Sequence, residues 1–383
     1  MHLCLVTPKV FAVRDGVGDY TFRLGVELAR EHRVTLLTSV GMCEGEERQG
    51  VRILPVVPNW GPQGLRVLAR EVSRLRPDVV NLQYEPHLYH RWGVNLGLPL
   101  AMLLLRLRGT RLLTTVHEPF VPLTNWKWWC TGPVQRLALA LLISASRKVL
   151  VSIEAWTRLF QRVFFWRGED FVWVPVGSNI PDTPAPHERR EAIRAGLGVS
   201  GDGVLLGSFS PLGSGKRLDL LFQAWDRLAR RWPSVSLALI GVTREEVLQR
   251  HPGIPAEGRV ICTGFISAQE ASWLLSCLDV FLAPYVDGIS TRRTAAIAAM
   301  AHGIPIVATR GHLTDSSLFE ASPIRLVDPD SAEALADAVE ELLGTDRERK
   351  RISGLTRGFY ERYFAWEVIA RRVGEVAAAA AVG

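Results

Sequence analysis

Residues 281–309 read FLAPYVDGISTRRTAAIAAMAHGIPIVAT, and the pattern in this stretch decides the fold. A short apolar run from Val280 to Ala283 has the length of a buried strand. A polar loop follows, Asp287-Gly288-Ile289-Ser290, and then an Ala-rich helix that begins near Ser290 and stops at Gly303. A second apolar run, Ile304 to Ala308, starts at once. Strand, loop, helix, Gly stop and strand make a βαβ unit. Its loop lies at the carboxyl end of a parallel strand, where open α/β sheets bind ligands. Ser290 is the candidate N-cap, and Arg292 and Arg293 fall in the helix's first turn. Cations there oppose the helix dipole, so two of them are explained by an anion in front of the helix. The alternative is a pair of solvated surface charges.

Working outward, strand and helix signals alternate along the whole chain. Strands are expected at His2–Thr7, Val34–Thr38, Val51–Val57, Val79–Leu82, Leu112–Val116, Val149–Ser152 and Val172–Pro175, with helices at Tyr20–Glu31 and Gly64–Leu75. The segment PDTPAPHERR, residues 181–190, breaks that rhythm with three prolines and a charge cluster, and marks the best domain boundary. A second series then runs through Val204–Phe209, Leu218–Arg230, Val235–Ile240, Val260–Thr263, Ala268–Ser276 and Val280–Ala283. Parallel sheets with helical crossovers follow from this order. The expected division is residues 1–180, a linker at 181–200, a second domain at 201–360, and a terminal helix within 361–383. The Ala run from Ala377 to Ala381 continues that helix.

With 383 residues, 48% apolar and 22% charged, the chain is long enough for two globular cores. The five cysteines are scattered and form no C-x-x-C pair, which argues for a reducing compartment and against a zinc site or disulfide framework. MHLCLVTP reads as a first strand rather than a signal peptide, and no apolar run approaches the roughly 20 residues of a spanning helix. The expected location is cytoplasmic, or peripheral on the inner face of the cell membrane. Residues 1–180 carry a charge balance of +8 and eight of the twelve tryptophans, whereas residues 181–383 carry −2. Asn125-Trp126-Lys127-Trp128-Trp129 and the amphipathic stretch Val134 to Arg147 suit contact with an anionic membrane; a buried Trp cluster is the other reading. No nucleic-acid motif is present, and the basic residues form no single run, so nucleic acid is not expected as a partner.

Candidate site residues cluster at strand ends. Gly16 and Gly18 lie between the first strand and the first helix, where glycines let the backbone approach a ligand. His117 ends the strand Leu112–Val116, and Asn81-Leu82-Gln83-Tyr84-Glu85-Pro86 ends another. Glu85 and Glu118 each have the chemistry to orient a hydroxyl. Ser208, Ser210, Lys216 and Arg217 sit in the loop after Val204–Phe209, in the run GSFSPLGSGKR. Asp287, Gly288, Ser290, Arg292 and Arg293 complete the set.

These motifs together resemble the family 4 glycosyltransferases, the retaining branch of the GT-B fold, and in particular a bacterial subgroup with a D-G-x-S-x-R-R loop followed by A-H-G-x-P-[IV]-V. The resemblance runs from Thr7 to the Phe364-Ala365-Trp366 element. It includes the G-[VI]-G-x-Y start at Gly16, the x-x-L-Q-Y-E-P element at Asn81–Pro86, and a Pro-x-Gly-x-[ND] turn at Pro175–Asn179. It implies two doubly wound Rossmann-like domains facing across a cleft, with the last helix returning to the first domain. It implies a retaining transferase that moves a hexose from a UDP- or GDP-linked sugar to a glycan or lipid-linked acceptor in surface polysaccharide or glycoconjugate synthesis.

By the same resemblance Lys216 grips the donor diphosphate, His117 lies beside the donor sugar, and Gly16 and Gly18 meet the diphosphate and acceptor. The family arginine before that lysine is missing; Ser210 or a neighbour holds its place, and Arg217, Arg292 or Arg293 is the replacement. The family's pair of glutamates falls on Ser290 and Ala298, with Asp287 as the nearest carboxylate. No D-x-D motif stands where a metal would be needed, since Asp328-Pro329-Asp330 lies on a late loop, so the transfer is expected to need no metal or cofactor. The competing expectation is a non-catalytic GT-B protein that binds nucleotide sugar or glycan.

Overall fold

The computed structural model describes residues 1–11, 16–121, 123, 126–199, 201–209, 215–252 and 259–382. They form two compact units, Met1–Val176 with Trp366–Gly383, and Gly177–Ala365.

The first unit is built on an eight-stranded sheet of order β3-β4-β2-β1-β5-β6-β7-β8. Its strands are β1 (His2–Val6), β2 (Arg33–Ser39), β3 (Glu46–Arg48), β4 (Val51–Val57), β5 (Val79–Tyr84), β6 (Leu112–Val116), β7 (Lys148–Val151) and β8 (Phe171–Trp173). All neighbours pair in parallel except β3, which runs antiparallel to β4. β5 and β6 are buried along their entire length, as expected of strands covered by helices on both faces. β3 (Glu46-Glu47-Arg48) is exposed throughout, so no hydrophobic pattern announces it; only backbone pairing along the edge of β4 makes it a strand.

The helix Trp366–Val382 belongs to this first unit. Ile369, Val373, Ala377 and Ala380 recur at helical spacing and are buried in one core with Leu24 and Leu28 of the helix Gly16–Leu28. The Ala run therefore continues the helix, with Ala377 and Ala380 packed inward and Ala379 facing outward.

The second unit carries a six-stranded, all-parallel sheet of order β11-β10-β9-β12-β13-β14. Its strands are β9 (Val204–Phe209), β10 (Val235–Ile240), β11 (Val260–Cys262), β12 (Val280–Ala283), β13 (Ile306–Thr309) and β14 (Arg325–Val327). β14 has three residues and no buried position, which left it without a signal in the sequence. The helices Leu218–Arg231 and Ala332–Leu343 cover one face, burying Leu221, Trp225, Leu228, Leu335, Val339 and Leu342 against Leu206, Leu237, Leu282 and Val307.

The proline-rich stretch after Pro181 is fastened to this second unit. Thr183 N donates to Ser272 Oγ (3.2 Å) and Ala185 N to Ser276 Oγ (3.1 Å). Prolines contribute no N–H, and the amides of Thr183 and Ala185 take serine hydroxyls instead of a ladder partner.

Removing the side chain of Ile369, which is 1% exposed, should test the docking of the last helix. Ile369→Ala is expected to cost about 2–5 kcal/mol, read as a lower urea midpoint with an unchanged m-value. An unchanged midpoint would mean that the helix contributes nothing to the first core.

Candidate functional site

In each sheet the chain reverses its direction of winding at one place, and ligands of open α/β sheets bind at the carboxyl ends there. That place is between β1 and β5 in the first unit and between β9 and β12 in the second.

In the second unit the loops after β9 and β12 are tied together. Lys216 and Tyr285 form an isolated antiparallel bridge, Arg217 N donates to Pro284 O (2.9 Å), and Val286 N donates to Gly215 O (3.1 Å). A third loop, after β13, holds the second from behind. Leu313 N donates to Asp287 O (2.9 Å), and Thr291 donates through N (2.7 Å) and Oγ1 (2.8 Å) to the buried carboxylate of Asp315. Gly288 stands where these loops touch. Its φ is +87°, and a Cβ would lie 2.1 Å from Thr314 Oγ1 and 2.4 Å from Gly311 N. Only glycine satisfies both the conformation and the contact.

The side chains converge on Tyr285, which is 2% exposed. Arg293 lies over its ring with the guanidinium carbon 4.3 Å from the centroid, and Lys216 Nζ is 5.5 Å from the same centroid. Lys216 is half-buried as a residue, with its ammonium turned inward to donate to Phe209 O at 2.5 Å. Burial, reinforced by the charge of Arg293, pushes its pKa down to about 7. Asp287 takes both guanidinium groups, Arg292 at 2.7 Å and Arg293 in a shorter contact, with all three side chains largely buried.

Two expectations change here. The helix starts at Thr294 with Arg293 as its N-cap, so the two arginines precede the first turn and do not oppose the helix dipole from within it. Ser290 therefore is not the cap: it is 1% exposed, and its Oγ has no hydrogen-bond partner among the described residues. Nor are the arginines solvated surface charges; the anion they face is Asp287 of their own loop. The local sequence shows both charges but not that the loop folds back to pair them.

Arg217 is engaged elsewhere, with Asp219 (2.8 Å), Asp330 (2.7 Å) and Pro329 O (3.0 Å). Hydrogen bonds to the two carboxylates raise its pKa further. Asp330 thereby has a partner of opposite charge, and among the described residues no group of three or more His, Cys, Asp or Glu is arranged to hold a metal. Ser208 is buried, with an unpartnered Oγ among the described residues. Ser210 lies outside the described residues. Ala298, at the position of a family glutamate, is fully buried in the helix Thr294–Ala301.

In the first unit, Gly16 and Gly18 lie inside the first turn of the helix Gly16–Leu28, which starts earlier than the expected Tyr20. A Cβ on Gly16 would meet nothing within 4 Å. His117 is buried at the end of β6; its Nε2 lies 2.9 Å from Gln83 Oε1 and its ring packs edge-on to Tyr20 with centroids 4.9 Å apart. Burial lowers its pKa to about 4, so the ring is neutral at physiological pH. Gln83 and Asp315 had drawn no individual attention in the sequence. Gln83 stands in the sequence only as one member of the Asn81–Pro86 element, just past the expected strand Val79–Leu82.

Comparison with known proteins places these features in a family. Residues 14–177 match the profile described as Glycosyltransferase Family 4, and residues 202–345 match that of Glycosyl transferases group 1. The chain belongs to the family 4 glycosyltransferases. A GDP-mannose-dependent alpha-(1-6)-phosphatidylinositol monomannoside mannosyltransferase of Mycolicibacterium smegmatis is 25% identical over 98% of this chain and 97% of its own. A phosphatidyl-myo-inositol mannosyltransferase of Mycobacterium leprae is 24% identical, with 98% and 96% covered. Among solved structures, Anabaena HepE in complex with UDP and glucose superposes with a TM-score of 0.70 at 17% identity, covering 99% of this chain and all of that one. A glycosyltransferase from Rickettsia africae gives 0.75 at 16%, covering 99% and 98%. The two Rossmann-like units are those of a GT-B glycosyltransferase that uses nucleotide sugars.

The state of Lys216 has a measurable consequence in this glycosyltransferase. Its folded pKa is lowered, so between about pH 7 and its ordinary value of 10.5 the unfolded chain binds the proton more tightly. The penalty is complete below pH 7 and is relieved as pH rises. Stability of the native protein should therefore rise relative to Lys216→Met from pH 7 to 10 in urea titrations. Parallel curves for the two proteins would show that the ammonium is not desolvated.

Proposed function

We propose that the protein is a retaining, metal-independent hexosyltransferase that moves a hexose from a nucleoside-diphosphate sugar to a glycan or lipid-linked acceptor. The observation that carries this reading is the cation cluster of Lys216, Arg292 and Arg293 at the switch point of the second sheet. Breaking the bond from the sugar's C1 to the diphosphate oxygen leaves a highly charged leaving group. Cations already held in a half-buried site stabilise that charge without reorganising. The diphosphate then competes with Asp287 for the two guanidinium groups. Lys216, close to half-neutral near pH 7 in the free protein, takes up a proton beside the phosphate.

Retention follows if the acceptor oxygen attacks C1 on the face the phosphate leaves. The new C1–O bond forms as the old one breaks, and the acceptor's proton passes to the departing phosphate oxygen. His117, neutral and fixed, contacts a hydroxyl of the transferred sugar in this reading, and Gly16 and Gly18 allow close approach to the diphosphate and acceptor. The two mannosyltransferase relatives make GDP-mannose the first donor to try and a phosphoinositide-type lipid the first acceptor. UDP-glucose is the second donor, on the ligands in the HepE structures.

Selective thermal stabilisation by one nucleotide sugar, about 2.7 kcal/mol at 100 times its dissociation constant, is expected and should vanish in Lys216→Ala and Arg292→Ala. The native protein should form a glycoside from that donor. Binding without any turnover across acceptors would favour the non-catalytic reading, which the uncharged Ser290 and Ala298 at the glutamate positions support.

The first unit suits an acceptor held at a cytosolic membrane surface. Trp126 and Trp129 are 73% and 63% exposed beside Lys127 on the helix Trp126–Ala145, and Leu100, Leu104 and Leu107 are exposed on the adjoining helix Gly97–Leu107. No helix among the described residues is long and apolar enough to cross a membrane, so this contact is interfacial. Trp128, by contrast, packs edge-on to His87. Binding to anionic liposomes should weaken in a Trp126→Ala, Trp129→Ala double variant. Failure of the native protein to bind such liposomes would remove the membrane from this proposal.

A further inference from the structure

Two polar rungs cross from β5 to β6 on one face of the first sheet. Register sets Gln83 beside Thr115, and side chains two apart share a face, so Asn81, Gln83, Thr115 and His117 all project to the same side. Thr115 Oγ1 donates to Asn81 Oδ1 (2.9 Å); one step further along, His117 Nε2 meets Gln83 Oε1 (2.9 Å). The main chain around the second rung is held firmly, while Gln83 Nε2 is buried without a partner among the described residues. Gln83 is fully buried, and its main-chain carbonyl accepts from Tyr89 Oη (2.6 Å). The His117 amide donates to Tyr84 O (2.9 Å), its carbonyl accepts from Ser152 Oγ (3.3 Å), and its ring stands edge-on to Tyr20.

An amide oxygen only accepts, so the nitrogen facing it must carry the proton. A neutral imidazole has one N–H, which leaves Nδ1 bare. His117 Nδ1 makes no hydrogen bond among the described residues. We propose that Gln83 is a positioning residue that locks His117 as its Nε2–H tautomer, making Nδ1 an obligate acceptor that reads a substrate hydroxyl. This rests on the placement of His117 beside the transferred sugar under Proposed function. It adds a selection rule: the ligand group at Nδ1 must donate a hydrogen bond. A hydroxyl satisfies that rule, whereas a deoxy carbon, a fluorine or a uronate carboxylate does not. A site built around a hydroxyl discriminates strongly against analogues that lack it, because its polar group is left unpaired.

Long-range proton–nitrogen spectra of protein labelled with 15N-histidine, with the His117 signals identified by their loss in His117→Gln, test the tautomer directly and without any substrate. The expected result is a single Nε2–H species in the native protein, retained in Gln83→Glu and replaced by a tautomer mixture in Gln83→Met. An Nδ1–H species in the native protein would overturn the proposal, since it requires the opposite amide orientation. A tautomer that does not change in Gln83→Met would overturn it too. If Gln83→Met does not fold, the native protein and Gln83→Glu decide the outcome. Kinetics then separate this proposal from the reading it rests on. The native enzyme should prefer the parent donor over one of its monodeoxy analogues by at least about tenfold in kcat/KM, a preference that Gln83→Met erases. Equal selectivity in the two proteins sinks the role of Gln83. No turnover by either, with the Nε2–H species present, sinks the transferase reading and leaves the tautomer lock standing.

Discussion

Three cations gathered by one carboxylate and one buried tyrosine are the constraint on which the second unit's site depends: Lys216 and Arg293 lie at the Tyr285 ring, and Arg292 and Arg293 pair with Asp287. Lys216, Arg292 and Arg293 come from two loops, and bringing them together out of water is unfavourable unless an anion accompanies them. Asp287 supplies it, accepting from both guanidinium groups. The ring of Tyr285 offers a face to Arg293, and the Phe209 carbonyl takes the Lys216 ammonium. The loop geometry follows from this requirement. Asp287 reaches the arginines because the chain turns at Gly288, and it turns so tightly because Gly288 and Gly311 pass within backbone contact. A side chain at either glycine would separate the loops that carry the charges.

The first unit meets a different demand. Polar residues inside a strand buried on both faces must find partners within the sheet. The amide oxygens of Asn81 and Gln83 do so across the strand, with Thr115 and His117, while their amide nitrogens are buried without a partner among the described residues. Burial keeps the histidine neutral, and in the proposed lock Gln83 places its proton on Nε2. Such a group suits hydrogen bonding to a sugar hydroxyl and does not suit balancing phosphate charge. Each unit thus has its own character at its strand ends: the second gathers charge, and the first presents a neutral histidine. In the second unit the charge is gathered by the loop Asp287–Arg293, where Asp287 pairs with Arg292 and Arg293.

Much of this was legible beforehand, for reasons that differ by element. β5, β6, β9, β10 and β12 are apolar or buried almost throughout, and such runs between helical segments leave few alternatives to a parallel sheet. β3 and β14 were invisible because edge pairing is a backbone property and leaves no hydrophobic trace in three residues. The site helix starts at Thr294, four residues beyond the start that residue type suggests. Ser290 looks like a cap by type, yet its hydroxyl is buried and the helix begins only after both arginines.

By itself the sequence determined the alternating architecture, the family, and the strand ends at which chemistry gathers. Those properties reside in residue type and spacing, which are local and additive. Tertiary structure decided which charges meet. Arg217 and Lys216 are neighbours in the chain, but Arg217 is bound to Asp219 and Asp330 while Lys216 turns toward Tyr285 and Arg293. Asp287 stands five and six residues from the arginines it neutralises, and Gln83 is 34 residues from the histidine whose proton it places. Loop closure and strand register set these partnerships, and through them the protonation of each functional group. No local pattern encodes them, because the energy of a buried charge or hydrogen bond depends on what lies opposite it in space.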